Sequence, residues 1–370
     1  MKDMYIRLQS KIFDRLIFVY MSAFQSVEGA LFLDKKGRLK AKDMTINTKS
    51  EILEILKMPY EKFNNTIKKL AKEIHKINNN NSVMVTAMLG YDNVCKNKCT
   101  YCGMNAGYPG LKRYRMTIDE IQAAEKTVKE LGINRIFLIS GEDPKYDFNS
   151  IISMVEFGKE LGLHVSLAAG EFSAEKYKAL EEAGLDEYVL KFETANQEMF
   201  AKIKPSTTFE KRMNCIEFIK NSKMKLASGN IVGFPHQTLE DIADDILLMK
   251  ELKISWAPII PYMPVPNTPL ALEGGRGSLE TTIKEISILR IMMPHINITA
   301  QQPGENPANG LADVNGNLNA LSAGANVLFV DMLPSTIVND FNVINNRMIE
   351  GIENVNRLIT LSGMNKFLGG

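Results

Sequence analysis

Three thiols sit close together in the run Cys95-Lys-Asn-Lys-Cys99-Thr-Tyr-Cys102. Clustered thiolates of this kind are ligands for iron or zinc. Three can hold three irons of a 4Fe–4S cluster, and no fourth cysteine stands nearby to complete the set. The remaining iron is then free to bind a small molecule, as the open position of a catalytic metal site is. A structural zinc site would normally want four ligands, and the nearest histidine in sequence, His75, lies 20 residues before Cys95. The spacing predicts one catalytic 4Fe–4S cluster on Cys95, Cys99 and Cys102. An iron–sulfur or zinc carrier is the non-enzymatic alternative. Cys215 stands alone in Arg-Met-Asn-Cys-Ile-Glu-Phe-Ile and reads as a small buried hydrophobe.

The elements that must position these thiols come from 370 residues, 45% of them hydrophobic and 24% charged, with a formal net charge of +1. That charge gives no surplus for phosphate binding, so nucleic acid is not expected as a partner. Four cysteines, three of them clustered, make no disulfide framework and suggest a reducing compartment. The apolar run 16–24 is too short to span a bilayer, and Gln25, Glu28 and Asp34 break up the residues after it. No small-residue cleavage site stands out. We expect an amphipathic helix there, packed on the main domain, with a cytoplasmic location and no membrane contact.

Thr48 and Ser50 are candidate caps for a first helix, and a second periodic stretch runs over 60–77 before a polar break at 78–81. From Ser82 the pattern alternates. Short β-rich runs cover 83–88, 135–140, 164–167, 187–192, 225–232, 255–261, 297–300 and 326–331. Helical patterns such as 117–131, 173–183, 239–252 and 278–293 lie between them, and Gly132, Gly162, Gly184 and Gly324 punctuate the turns before strands. Eight strand–helix units predict an α/β fold, a (β/α)8-type TIM barrel, over 82–370, with a helical N-terminal extension over 1–81. Ligands gather at the C-terminal ends of barrel strands, and the cysteine loop comes a few residues after the first run.

The cysteine spacing with Tyr101 before its last thiol resembles the radical S-adenosylmethionine (SAM) superfamily. Further segments are similar to the subgroup that contains HydE, PylB and biotin synthase. They are Leu111-Lys-Arg-Tyr-Arg-Met-Thr117, Ser140-Gly-Glu-Asp-Pro144, Phe192-Glu-Thr-Ala-Asn196, Gly229-Asn-Ile-Val-Gly-Phe-Pro-His-Gln-Thr238 and Pro266-Asn-Thr-Pro-Leu270. The resemblance spans roughly residues 82–363. It implies a radical SAM barrel that takes SAM beside the cluster and cleaves it reductively to a 5′-deoxyadenosyl radical. Its implied partners are a small-molecule substrate and an electron donor, either a reductase or a ferredoxin or flavodoxin.

SAM presents an ammonium, a carboxylate and ribose hydroxyls, and the resemblance distributes these among particular residues. Arg212 is expected to meet the methionine carboxylate, since a guanidinium makes a bidentate, charge-assisted pair. Glu193 is expected to accept from the amine or ribose; the pair keeps the 19-position separation of HydE-like proteins. Gly141 and Glu142 match the glycine–glutamate element near the amine. Tyr101 would offer its backbone to the adenine, and Gly229 and Gly233 a close backbone approach. Arg113 and Arg115 read as structural or surface residues.

Two segments depart from the subgroup. HydE-like proteins often carry paired arginines after the cysteines, where this chain reads Gly103-Met-Asn-Ala-Gly-Tyr-Pro-Gly110. After the seventh strand it reads Thr299-Ala-Gln-Gln-Pro-Gly-Glu-Asn306. Gln301 and Gln302 there are expected to touch a neutral polar or heteroaromatic substrate, and Trp256 to stack on it. No later cysteine group exists for a second cluster, which disfavours sulfur insertion. The resemblance thus implies biosynthesis of a hydrogenase metallocofactor, either HydE-like maturation or an HmdB-like role in the iron-guanylylpyridinol cofactor. A carbon-skeleton mutase of the methylornithine-synthase type is the alternative.

Overall fold

The computed structural model describes residues 46–367, together with the backbone of a short antiparallel pair, Phe32–Leu33 with Leu39–Lys40. The expected helix over 16–24 lies outside the described residues. The first described helix, α1 (Lys49–Lys57), opens on a capping box in which Thr48 accepts from the Glu51 N–H and Glu51 reaches back. The next periodic stretch is two helices, α2 (Tyr60–Asn65) and α3 (Ile67–Asn78). They part at Thr66, whose hydroxyl donates to the Lys62 carbonyl at 2.7 Å while its backbone leaves helical geometry.

The alternation from Ser82 is present as expected. It runs β1 (Ser82–Asp92), α4 (Ile118–Glu130), β2 (Arg135–Ser140), α5 (Phe148–Glu160), β3 (His164–Ala168), α6 (Ala174–Glu182) and β4 (Glu187–Val189). Next come α7 (Gln197–Ile203), α8 (Phe209–Lys220), β5 (Lys225–Ala227), β6 (Ile231–Val232), α9 (Leu239–Glu251), β7 (Trp256–Ala257) and β8 (Ile260–Pro261). The chain ends with α10 (Leu279–Met292), β9 (Asn297–Ile298), α11 (Val314–Ser322), β10 (Val327–Asp331), α12 (Ile352–Ser362) and β11 (Asn365–Phe367).

The parallel sheet runs β9-β7-β5-β4-β3-β2-β1-β10. A parallel bridge between Thr299 and Val327 joins its two ends. The Ala300 N–H donates to the Val327 carbonyl at 2.8 Å and the Asn326 N–H to that of Ile298 at 2.9 Å. The path is a barrel of eight strands. Two expected runs, 225–232 and 255–261, are each split, because β6 and β8 pair with one another beyond the ring. β11, which no pattern announced, adds to β1 outside the circuit.

Strand alternation sorts the core into two layers. Val83, Val85, Ala87 and Leu89 of β1 face the large layer between sheet and helices. Met88 faces the lumen, with Phe137, Val189, Trp256, Val327 and Phe329. Phe137 meets Trp256 edge-on at 5.1 Å, and Phe329 lies 5.7 Å from the same indole. Each such contact adds about 0.5–1.5 kcal/mol beyond simple burial. The three early helices lie on the flank of α9, α10 and α11. Lys284 of α10 donates to the carbonyls of Leu56 (2.9 Å) and Met58 (2.6 Å), satisfying the C-terminal end of α1.

Candidate active site

The three cysteines lie on the loop that leaves the C-terminal end of β1, and this loop is tied down residue by residue. Asp92 accepts from the Val94 N–H at 2.7 Å, turning the chain out of the strand. Burial pushes the Asp92 carboxyl up to about 7. Asn93 donates to the carbonyls of Lys112 and Asp340, both at 2.8 Å. Arg113 donates to the carbonyls of Asn93 (2.6 Å), Met104 (2.7 Å) and Asn105 (2.6 Å), and so frames the whole loop. Arg115 pairs instead with Asp143 at 2.5 Å. Gly141 packs directly beneath, where a Cβ would run into the Val94 carbonyl and the Cys95 side chain.

Each sulfur receives one N–H. The Glu142 backbone donates to Cys95 Sγ at 3.4 Å, the Met104 backbone to Cys102 Sγ at 3.4 Å, and Lys204 Nζ to Cys99 Sγ at 3.5 Å. Burial, with Cys99 alongside, pushes the Cys102 thiol up to about 12, and burial raises Cys95 as well. Thiols so placed ionise only against a strong positive partner, which metal ligation supplies. Among the described residues no three His, Cys, Asp or Glu side chains converge tightly enough for a single metal ion. Cys95, Cys99 and Cys102 all line one cavity of about 310 Å³ at the barrel mouth. Cys215 is buried in α8, its thiol 3.7 Å from the Phe172 carbonyl, away from that cavity.

Beyond the cysteines, Tyr101, Gly141, Glu142, Glu193 and Arg212 line the same cavity. Glu142 is held by Lys96 at 2.8 Å and by the Asn97 amide at 2.9 Å. Glu193 comes after β4 in the left-handed region at φ 67°, a conformation costly for a residue with a Cβ. It is held there by a ladder: its N–H donates to the Gly229 carbonyl and its carbonyl accepts from the Ile231 N–H, both at 3.1 Å. Its Oε2 accepts no hydrogen bond although buried, and lies 3.5 Å from Lys191 Nζ. Burial works to raise this carboxyl, but Lys191, Lys204 and Arg212 outweigh it and hold it below the usual range. An ionised, buried carboxylate with one oxygen that accepts no hydrogen bond is the acceptor that an ammonium or a ribose hydroxyl needs. The residues fit SAM in this respect.

Arg212 is also buried. Its Nε donates to Glu171 at 2.9 Å and its Nη1 to the Lys191 carbonyl at 2.6 Å, which orients the remaining nitrogen, Nη2. Glu171 in turn accepts from the Thr207 hydroxyl at 2.8 Å and lies 3.3 Å from Lys211. Glu171, Lys191 and Lys204 carry much of the electrostatics here, and sequence reading passed over all three. They belong to no spaced motif, although Lys191 flanks the Glu193 segment.

Four expected residues fall differently. Gly229 and Gly233 do not line the cavity; Gly229 carries the ladder that holds Glu193, and Gly233 (φ 80°) turns the chain against Gly277. Gln301 lines the cavity, but its amide is spent on the last strand. Its Nε2 donates to the Phe329 carbonyl at 3.2 Å and its Oε1 accepts from the Phe329 N–H at 2.7 Å. Gln302 faces a separate recess beside Gly316, with Nε2 on the carbonyls of Ile259 (2.9 Å) and Thr299 (3.2 Å). Trp256 does line the cavity, its Nε1 donating to the Thr299 hydroxyl at 3.0 Å. Replacing Gln301 with leucine is expected to leave the buried Phe329 N–H and carbonyl unpaired, at about 1–3 kcal/mol per group. Chemical denaturation should show that loss in the cluster-free protein; unchanged stability would leave the amide available for a ligand.

A barrel with a three-thiol loop after its first strand, and a buried carboxylate and a buried guanidinium in the same cavity, defines a class of enzyme. The sequence profile of the Radical SAM superfamily matches residues 91–249. The chain is 37% identical to the [FeFe] hydrogenase maturase subunit HydE of Thermotoga maritima over 288 residues, 78% of this chain and 81% of that protein. It is 28% identical to 3-methylornithine synthase of Methanosarcina barkeri over 284 residues, 75% of this chain and 74% of the relative. The crystal structure of methylornithine synthase (PylB) superposes with a TM-score of 0.76 at 25% identity, covering 86% of this chain and 94% of that one. The chain belongs to the radical SAM superfamily, whose members are enzymes that use a 4Fe–4S cluster and cleave SAM. Within it, the chain falls in the biotin-synthase-like subgroup with HydE and methylornithine synthase. Such enzymes act on small molecules and draw on an electron donor. No helix among the described residues is long and apolar enough to cross a membrane.

Proposed function

We propose that this enzyme acts in the biosynthesis of a hydrogenase metallocofactor. The observation that carries the reading is the 37% identity to a hydrogenase maturase along 288 residues, which include the cysteine loop and the Glu193 and Arg212 segments. In this reading Cys95, Cys99 and Cys102 would hold the cluster, and SAM would bind beside it. Bound SAM supplies the 5′-deoxyadenosyl radical on one-electron reduction by a ferredoxin, flavodoxin or reductase. Arg212 would take the methionine carboxylate, Glu193 Oε2 the amine or ribose, and the Glu142 segment the amine side, all three residues lining the cavity. Tyr101 offers its backbone to the adenine. The substrate sits deeper, against Trp256 and its aromatic neighbours.

Two features lean the reading from HydE-like maturation towards an HmdB-like role. The segment after the cysteines is polar and glycine-rich where HydE-like proteins often carry arginines, and glutamines come after the seventh strand. A carbon-skeleton mutase is the second reading, favoured by the 0.76 superposition on methylornithine synthase. One genetic and one chemical experiment separate them. Deleting the gene in its host should abolish hydrogenase activity and leave the hydrogenase polypeptide without its cofactor. Wild-type hydrogenase activity in the deletion strain would sink the proposal. Formation of methylornithine by the purified, reduced enzyme, read by mass spectrometry, would establish the alternative.

A further inference from the structure

Near the β10 segment the cavity wall is mostly apolar, and the amide of Gln301 there is already paired with Phe329. Arg347, on the segment between β10 and α12, lines the cavity together with Phe341, Val343, Ile344 and Ile349 of the same segment. Its side chain is 8% exposed. Nη2 lies 2.6 Å from Asp331 at the end of β10, and the guanidinium sits 5.2 Å from the centre of the Phe341 ring. Nε and Nη1 are buried and make no hydrogen bond. Those two nitrogens carry three of the five N–H donors of a guanidinium. Leaving charged donors buried without acceptors costs more than any other polar defect in a core. No acceptor of the chain meets them, and the space beside the residue is the cavity assigned to the substrate.

We propose that Arg347 is a specificity-determining residue that binds a carboxylate carried by the substrate. The inference rests on the reading of this cavity as a radical SAM substrate chamber and does not depend on which pathway the enzyme serves. Charge selects the class of ligand. Asp331 takes one nitrogen of the guanidinium and leaves the donors of Nε and Nη1 open; a singly charged carboxylate supplies acceptors for them while adding less negative charge to the pair than a dianionic phosphate would. The neighbouring wall selects the rest of the molecule. Trp256, Phe137 and Phe329 stand where a compact apolar or planar body would lie. The substrate is thus an acid with an apolar body, its charged end at the β10 segment.

The test measures binding of matched acids and amides to cluster-loaded protein with SAM present. Suitable pairs are phenylacetate with phenylacetamide, indole-3-acetate with indole-3-acetamide, and hexanoate with hexanamide. In the unaltered protein at least one acid should bind roughly 10-fold tighter than its amide, the scale of a charge-assisted pair. Arg347→Met should erase that preference, and Arg347→Lys should keep part of it. A second variant covers a methionine form that fails to fold. Asp331→Asn leaves the guanidinium without its carboxylate, so its demand for an anion grows and the acid should bind more tightly still. A purely structural Arg347–Asp331 pair predicts the reverse, a loosened segment and weaker binding of acid and amide alike. The proposal is overturned if no acid outbinds its amide in the unaltered protein, if the preference survives in Arg347→Met, or if Asp331→Asn weakens the acid. A hydrogenase-positive deletion strain would refute the pathway while leaving these affinities as they are.

Discussion

Alanine at any one of Cys95, Cys99 or Cys102 is expected to remove the iron–sulfur cluster and with it all SAM cleavage. Two remaining thiolates hold a labile cluster, and no fourth thiol is placed to substitute: Cys215 lies in α8 outside the cavity. The surroundings sharpen the expectation. Each sulfur already has its own N–H donor, from the Glu142 backbone, Lys204 and the Met104 backbone. The loop is clamped by Arg113 and Asn93, so it does not move to recruit another ligand. Iron per chain after anaerobic reconstitution, with the visible absorbance of the cluster, reads the effect directly. Release of 5′-deoxyadenosine from SAM under reduction reads its consequence. Cys215→Ser should match the unaltered protein in both. Loss of iron in Cys215→Ser with retention in Cys95→Ala would reverse the assignment.

Arg212→Ala should weaken SAM binding by roughly 10-fold to more than 100-fold, the equivalent of about 1.5–3 kcal/mol for a charge-assisted partner. The cluster should remain, because Arg212 donates to Glu171 and to the Lys191 carbonyl and to no sulfur. A second effect arises at Glu171. Its carboxylate is buried, and without Arg212 it keeps the Thr207 hydroxyl and the partly exposed Lys211. Breaking a buried pair from one side costs about 3–5 kcal/mol, so the alanine variant should also melt earlier. Arg212→Lys separates the two consequences. An ammonium restores charge opposite Glu171, and hence much of the stability, but lacks the separate Nη2 donor that the Glu171 and Lys191 contacts orient. Calorimetry on cluster-loaded protein should then find SAM affinity still reduced in the lysine form. Undiminished SAM affinity in the alanine form would remove Arg212 from the SAM site.

The chemistry was legible in the sequence because its determinants are local. Cluster ligation depends on three thiols within one short loop, and their spacing is visible without a fold. The barrel was legible for the same reason: alternation between strand and helix patterns, the Thr48–Glu51 box and the glycines closing helices each involve neighbours in sequence. What those residues do beyond the motif is decided by contacts between distant segments. Gln301 reads as a substrate contact, yet its amide is matched to Phe329, 28 positions away, because the barrel closes there. Lys204 belongs to no spaced motif, and the fold delivers its ammonium to Cys99, 105 positions earlier. Glu193 owes its strained backbone to the Gly229 and Ile231 ladder rather than to its own propensity. Arg347 comes after two asparagines in an unpatterned stretch, and only the return of that stretch over the barrel mouth turns its guanidinium to the cavity. Local spacing identifies which atoms can hold a metal; which polar groups end up buried and unmatched, and so available to a substrate, is settled when the eight strands close.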